Sequence, residues 1–322
     1  MYKNLKAVRA LIVFYMIILA ILAVVERSFF SFQNFSDILL NTSTTAIAAL
    51  GMLCILLIGD IDVSVGAVLA ACCTVTGYLA KAGCPMIVVI GGSMLMGLVL
   101  GFINGICVIF LKLDAIVATL GLLSIYRGLL ILITHGSWIN GLPDNILQLG
   151  QGHFLGLPIP VFIMVGVIFL MWYVLNETEF GRNFYAVGSN RNSARLSGIS
   201  VRKVRVSAFI VCGTLVGLSA SIYATRFGGI QSNTGNGWEM TLISSCVVGG
   251  VSTVGGEGNV SGVFLGSLLI SAVGTILVFL GVDALWEEAV QGVIILVSVA
   301  SYAMNFRKKT KLVEEEGNQT NG

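Results

Sequence analysis

Charged residues are scarce in this chain, and so are prolines and histidines. Charged side chains make up 11% of the 322 residues and hydrophobic ones 56%, with four prolines against 39 glycines. Soluble domains average about 25% charged and roughly 45–50% apolar residues. Abundant glycine is typical of closely packed transmembrane helices, which associate through small residues. The composition therefore excludes an ordinary soluble domain and predicts an all-α polytopic membrane protein.

Several absences exclude the usual routes to catalysis. The chain has no Gly-Lys dipeptide, and hence no phosphate-binding loop of the GxxxxGK[ST] type, and it has neither GxSxG nor HExxH. Its two histidines and seven scattered cysteines have no metal-ligand spacing. We therefore expect no catalytic residue, no metal and no cofactor in this chain, and no nucleic-acid partner. Catalysis by this chain would have to depend on isolated acidic residues alone.

Positive charge is concentrated in three patches. Residues 3–9, 176–205 and 307–311 hold thirteen of the eighteen Lys and Arg residues, whereas residues 135–160 contain none. Cytoplasmic loops of membrane proteins carry an excess of Lys and Arg. All three patches are therefore predicted to be cytoplasmic, and the loop at 135–160 is predicted to face outward.

The apolar runs predict about ten transmembrane helices, because one span needs about 20 mainly apolar residues. The runs cover approximately residues 10–25, 43–59, 63–80, 86–111, 115–134, 159–175, 206–225, 238–254, 260–280 and 287–304. An even number places both termini in the cytoplasm, as the charge bias requires. We expect one transmembrane domain over residues 1–304 and a disordered cytoplasmic tail at 305–322.

Two junctions, residues 59–66 and 249–258, interrupt apolar runs with glycine and polar residues. Broken helices at membrane depth are tolerated only where protein or a water-filled cavity satisfies the freed backbone groups, and in transporters they often mark the translocation path. Tight cytoplasmic turns are the other interpretation, with Asp62 and Ser64 capping the next helix. The candidate path or gating residues are Asp60, Asp62, Ser64, Gly249, Gly250, Gly255 and Gly256.

Two further charged residues, Arg127 and Glu239, are candidates for the same role. A charge at a helix centre costs about 2.5–3.5 kcal/mol on insertion scales, so each one needs a reason. For Arg127, a structural ion pair or a side chain reaching to the outer interface is favoured over substrate contact. Glu239 is expected at a helix N-terminus near the outer face, where the helix dipole favours an anion.

The hydrophilic segment 176–205, called the island below, holds six of the eighteen cations. Its pattern predicts one or two short helices, with Thr178 capping the first and Gly198 ending the second. Aromatic residues beside arginine are typical of interface hot spots, which favours docking to a soluble partner. Binding to anionic lipid through the same cations remains the alternative.

Several motifs together resemble the permease subunit of bacterial ATP-binding cassette importers for monosaccharides, the group that includes ribose, xylose, rhamnose and autoinducer-2 systems. The motifs are IDVSVGA (61–67), AIVATLG (115–121), IYRG (125–128), FGRNFYAVGSN (180–190), ARLSGI (194–199) and GWEM (237–240). IYRG, followed by GSWINGLP (136–143), looks closest to the autoinducer-2 and rhamnose members. Asp60 departs from the family, which usually has glycine there, and Ser189 replaces another common glycine.

The resemblance implies a type II importer bundle in which two permeases, identical or related, form a pore by alternating access. Two cytoplasmic ATPase subunits would bind ATP and Mg²⁺, and an external binding protein would deliver the sugar. The island then becomes the coupling segment gripped by the ATPases, through Phe180, Gly181, Arg182, Tyr185, Ala194, Arg195, Leu196 and Gly198. The alternative function is an ion-coupled secondary transporter using Asp60, Asp62, Arg127 and Glu239 as a charge relay.

Overall fold

The computed structural model describes residues 31–231 and 233–279, together with residues 286, 289 and 291–293. This part of the chain is mostly helical. Its helices are α1 Phe32–Leu57, α2 Val65–Lys81, α3 Met86–Phe110, α4 Ala115–Thr134, α5 Asp144–Gln151, α6 Ile159–Glu177, α7 Glu179–Ser189, α8 Arg191–Leu196, α9 Val201–Phe227, α10 Trp238–Val248 and α11 Val260–Phe279. Four two-residue strands are β1 Ile139–Asn140, β2 His153–Phe154, β3 Leu157–Pro158 and β4 Gly229–Ile230.

Six of the described helices are long and apolar enough to cross a membrane, namely α1, α3, α4, α6, α9 and α11. Two of the predicted spans correspond to shorter apolar helices, α2 and α10. A multi-pass helical protein is therefore confirmed. The first predicted span, the tail and nearly all of the tenth span lie outside the described residues.

Helix α1 begins eleven residues earlier than the apolar run predicts. The side chain of Ser31 caps it by accepting from the backbone N–H of Asn34. The polar residues 42–45, which interrupt the apolar pattern, are buried. Their hydroxyls donate to carbonyl oxygens of the preceding turn, as that of Thr42 does to Ile38 at 2.7 Å. Such back-bonding lets Ser and Thr lie inside a buried helix without an unsatisfied hydroxyl.

Close contacts between glycines hold the central helices together. The missing Cβ of Gly97 in α3 points at the carbonyl oxygen of Gly213 in α9, and that of Gly213 points back at the oxygen of Gly97. Gly249 and Gly262 make the same reciprocal contact at the junction of α10 and α11. Glycines spaced four residues apart in these helices, such as Gly97 and Gly101 in α3 and Gly213 and Gly217 in α9, therefore mark true helix contacts, because only a residue without a side chain permits this approach.

The loop between α4 and α6 covers the end of the bundle that lies opposite the island. Within this loop β2 pairs with β3, and its strand β1 pairs with β4, which follows α9, through Ile139 and Ile230. Helix α5 is tied to the end of α9, because Gln151 Nε2 donates to the carbonyl oxygen of Arg226 at 3.1 Å. The end of α9 and strand β4 are thus positioned by this loop.

Candidate functional site

The island consists of the two short helices α7 and α8, as its cap residues predict. Thr178 caps α7 by accepting from the N–H of Gly181 at 3.2 Å. Asn190 caps α8 by accepting from the N–H groups of Asn192 and Ser193, both at 3.0 Å. Gly198 follows α8 with a positive φ of 85°, which ends the helix.

The residues predicted to couple the island to an ATPase divide between two faces. One group turns toward the bundle: Gly181 and Ala194 are buried, and Tyr185 is half-buried. The hydroxyl of Tyr185 donates to the carbonyl oxygen of Gly258 at 3.1 Å, and burial raises the pKa of Tyr185 to about 12. The hydroxyl therefore remains a protonated donor at physiological pH.

The second group points away from the bundle and forms an exposed surface, called the docking face below. Its members are Phe180, Arg182, Arg195, Leu196 and Gly198. Leu196 is 89% exposed, although it is a large apolar side chain at the end of a charged helix. The docking face is thus cationic and partly apolar, while the other side of the same helices is fixed to the bundle.

Both glycine junctions lie next to the island and touch each other. The N–H of Gly256 donates to the carbonyl oxygen of Leu57 at 2.9 Å, and Gly255 packs on the backbone of Gly59. Gly188 of α7 closes the same contact, because its missing Cβ points at the oxygen of Leu57. Gly59, Gly255 and Gly256 all have positive φ, which favours glycine. Gly250 also has positive φ, whereas Gly249 packs on α11.

Asp60 ties the first junction to the island. Its carboxylate accepts from Arg205 Nε at 2.7 Å and Nη2 at 3.0 Å, and from Arg191 Nη2 at 2.9 Å. Asp60 is 5% exposed and Arg205 is 16% exposed. A bidentate pair with arginine fixes geometry as well as charge. This residue therefore connects the start of α8 and the first turns of α9 with the link between α1 and α2.

Asp62 belongs to a different group of residues, a buried polar cluster. Its carboxylate accepts from the N–H and hydroxyl of Ser64, at 2.9 and 2.7 Å, and from Asn104 Nδ2 at 2.9 Å. The hydroxyl of Tyr126 donates to Asn104 Oδ1 at 2.8 Å. Burial raises the pKa of the Asp62 carboxyl, and the hydrogen bonds from Ser64 and Asn104 act in the opposite direction.

The capping expectation for this junction is only partly met. Ser64 occupies the N-cap position of α2, but its hydroxyl makes no cap hydrogen bond and donates to Asp62. The N–H of Val63 donates to Thr119 Oγ1 in α4 at 3.1 Å. The cluster thus joins the starts of α2 and α4 to α3. Asn104, Thr119 and Tyr126 were not predicted as site residues. An amide inside the apolar run of α3 could nevertheless have indicated a buried polar contact.

Arg127 and Glu239 meet at a third place. Arg127 Nη1 donates to the carbonyl oxygen of Thr234 at 2.7 Å, and Glu239 is the opposite charge that acts on its guanidinium. The Glu239 carboxylate lies against Gly66, the second residue of α2. Glu239 does begin α10, but it lies within the bundle and not at the outer face, because the loop before α10 folds inward. The proposed relay of four charges is therefore divided among three separate sites.

Known transport proteins resemble this chain in sequence. Residues 34–299 match a family described as the branched-chain amino acid transport system / permease component. The chain belongs to this permease family. The autoinducer 2 import system permease protein LsrC of Yersinia pseudotuberculosis serotype O:3 (strain YPIII) is 37% identical over 278 residues, which is 86% of this chain and 79% of the relative. LsrC of Yersinia pestis (strain Pestoides F) gives the same figures. No solved structure matches the chain.

The permease is accordingly a multi-pass protein of the cytoplasmic membrane that serves as the transport subunit of an importer. The family description names amino-acid transport, whereas the named relatives import autoinducer 2. Family membership thus establishes the role of a permease.

Proposed function

We propose that this permease forms the pore of an ATP-driven importer for a sugar-like solute of the autoinducer-2 class. Two permeases would assemble around the pore, an external binding protein would deliver the solute, and separate cytoplasmic ATPase subunits would bind ATP and Mg²⁺. The full chain would have ten spans, with both termini and the island in the cytoplasm. Similarity to the autoinducer-2 permeases over most of both chains supports this solute class.

The observation that carries the proposal is the division of the island into two faces. Phe180, Arg182 and Leu196 are exposed, whereas Asp60 and Tyr185 hold the opposite side to the two junctions. A segment with an exposed cationic and apolar face and a fixed inner face can receive a partner and pass its displacement into the bundle. Arginine and aromatic residues are also the usual anchors of protein interfaces.

Charge reversal on the docking face tests this proposal. Arg182→Glu together with Arg195→Glu should leave membrane insertion intact and abolish co-purification of the ATPase, because neither arginine contributes an ion pair within the described residues. Arg202→Glu, an exposed change on the first turn of α9, is the matched control and should retain the ATPase. Retention by the double variant would exclude the docking face.

Transport in vesicles separates an ATP-driven permease from the secondary transporter. The permease with its ATPase and binding protein should accumulate autoinducer 2 only when ATP is supplied inside. Accumulation by the permease alone, driven by an ion gradient, would contradict the proposal. The structure gives no support to a charge relay, because Asp60 and Asp62 have separate partners and neither contacts Arg127.

A further inference from the structure

The loop before α10 enters the membrane-spanning part of the bundle. Arg127, which holds the carbonyl oxygen of Thr234, lies twelve residues from the start of α4 and seven from its end. At 1.5 Å per residue these are distances of about 18 and about 10 Å. The carbonyl oxygen of Gly235 lies against Gly66, fifteen residues or about 22 Å from the outer end of α2. Residues 233–237, called the re-entrant loop below, therefore lie well inside the membrane-spanning part of the bundle.

The length of α10 agrees with this depth. Its eleven residues span only about 16 Å, which is half of a hydrocarbon core of about 30 Å. Gly237 precedes it with a positive φ of 73°, which lets the chain reverse direction there. The chain therefore crosses the outer half of the membrane before α10 as non-helical backbone. Such backbone is tolerated at this depth only beside protein or a water-filled cavity.

Three amide side chains in and just before the re-entrant loop are exposed. They belong to Gln231, Asn233 and Asn236, and none of them makes a side-chain hydrogen bond to another residue in the described part of the chain. Exposure of unbonded amides to lipid is costly. Residues of α4 at the same depth that do face outward are apolar, such as Ile125 and Leu129. The amides therefore need a polar occupant that lipid cannot provide.

We propose that Gln231, Asn233 and Asn236 form a contact site for a neutral polyhydroxylated solute on its way through the pore. Each amide offers two donors and one acceptor, which suits hydroxyl groups that both donate and accept. The half-buried Trp238, whose ring packs edge-on against Tyr223, follows the re-entrant loop directly in the chain. Arg127 and Glu239 next to the loop carry opposite charges and residues 233–237 carry none, so the loop offers no net charge to select an ionic solute. This inference rests on the proposed function and names the residues that meet the solute.

Water accessibility tests the site without requiring transport. Asn233→Cys and Asn236→Cys are made in the full importer after the half-buried Cys84 and Cys107 have been replaced by serine. A membrane-impermeant maleimide should modify both new thiols. Ile125→Cys, exposed at similar depth on the apolar face of α4, is the matched control and should remain unmodified. Protection of both new thiols would overturn the proposal and would indicate that a second copy of the permease covers the loop.

Uptake then separates the site from the proposed function. The wild-type importer is assayed with autoinducer 2, D-ribose, D-xylose and L-rhamnose, and uptake of none of them would count against the proposed function alone, since thiol labelling still decides whether the site faces water. Asn233→Leu with Asn236→Leu should lower uptake about tenfold or more through lost hydrogen bonds, with ATP hydrolysis and co-purification of the ATPase retained. Asn→Gln at both positions should restore part of the uptake. Wild-type uptake by the leucine variant would overturn the site.

Discussion

Two aspartates only two residues apart have different roles in this permease. Asp60 faces the island and pairs with Arg191 and Arg205, whereas Asp62 faces the bundle and accepts from Ser64 and Asn104. The chain between them is neither helix nor strand, and the two carboxylates have no common partner. The pair thus joins the ion pairs of the island to a buried hydrogen-bond network within the bundle.

The buried cluster predicts a large effect of Asn104→Leu on stability. The change removes one donor from Asp62 and leaves the Tyr126 hydroxyl without its acceptor, and each unsatisfied buried group costs about 1–3 kcal/mol. The expected result is a loss of about 2–4 kcal/mol in the free energy of unfolding, measured by denaturant titration in detergent. Ser124→Ala, which removes only a hydroxyl bonded within its own exposed turn of α4, should have little effect. Equal stability of the two variants would contradict the role of the cluster.

The residue types at these sites could be predicted from the sequence, but their partners could not. Asp60, Asp62 and Ser64 are conspicuous because polar residues are rare in this chain. Apart from the local bonds between Ser64 and Asp62, however, their contacts come from residues 40 to 145 positions away, and no local pattern encodes such a pairing. Glu239 shows the same limit, since its place at a helix start was predictable and the inward fold of its loop was not.

At the scale of elements, the seam between α3 and α9 depends on glycine. Gly213→Ala places a methyl group against the carbonyl oxygen of Gly97, so the helices must separate. We expect a loss of about 1–3 kcal/mol in the free energy of unfolding, as in overpacked cores. Gly166→Ala, in exposed α6 with nothing near the added methyl, should be neutral or stabilising by about 0.5–1 kcal/mol. A stabilising Gly213→Ala would contradict the seam.

Helices were more predictable than their lengths. Apolar runs located every long helix of the described region, and cap residues located both helices of the island. The start of α1 was missed because buried threonines look polar in sequence while bonding to their own helix. The short α10 was predicted as a full span because composition does not reveal where a loop turns inward.

At the scale of the whole molecule, the polar contacts form a connected series from the island to the interior. Asp60 links the island to the first junction, Asp62 links that junction to α3 and α4, and Gly66 of the following turn packs against the re-entrant loop. Helix α2 lies at the centre of this series. A displacement of the island would therefore reach the proposed solute contacts through packed groups.

This connection predicts that Arg205→Gln uncouples ATP hydrolysis from transport. The docking face is unchanged, so the ATPase should still co-purify and hydrolyse ATP, but the bidentate pair with Asp60 is lost. Coupling free energies between sites are commonly 1–3 kcal/mol, so the uptake per ATP hydrolysed should fall about fivefold or more. The ratio is measured in vesicles that contain the complete importer.

Lys203→Gln is the matched control for this experiment. It removes one positive charge two residues earlier in α9, from an exposed side chain that makes no ion pair within the described residues. Its uptake per ATP should equal that of the wild type, because Asp60 keeps both arginines. If Arg205→Gln folds, binds the ATPase and transports with an unchanged ratio, the path from island to interior does not run through Asp60, and the contact between Leu57, Gly188 and Gly256 is left to carry the motion.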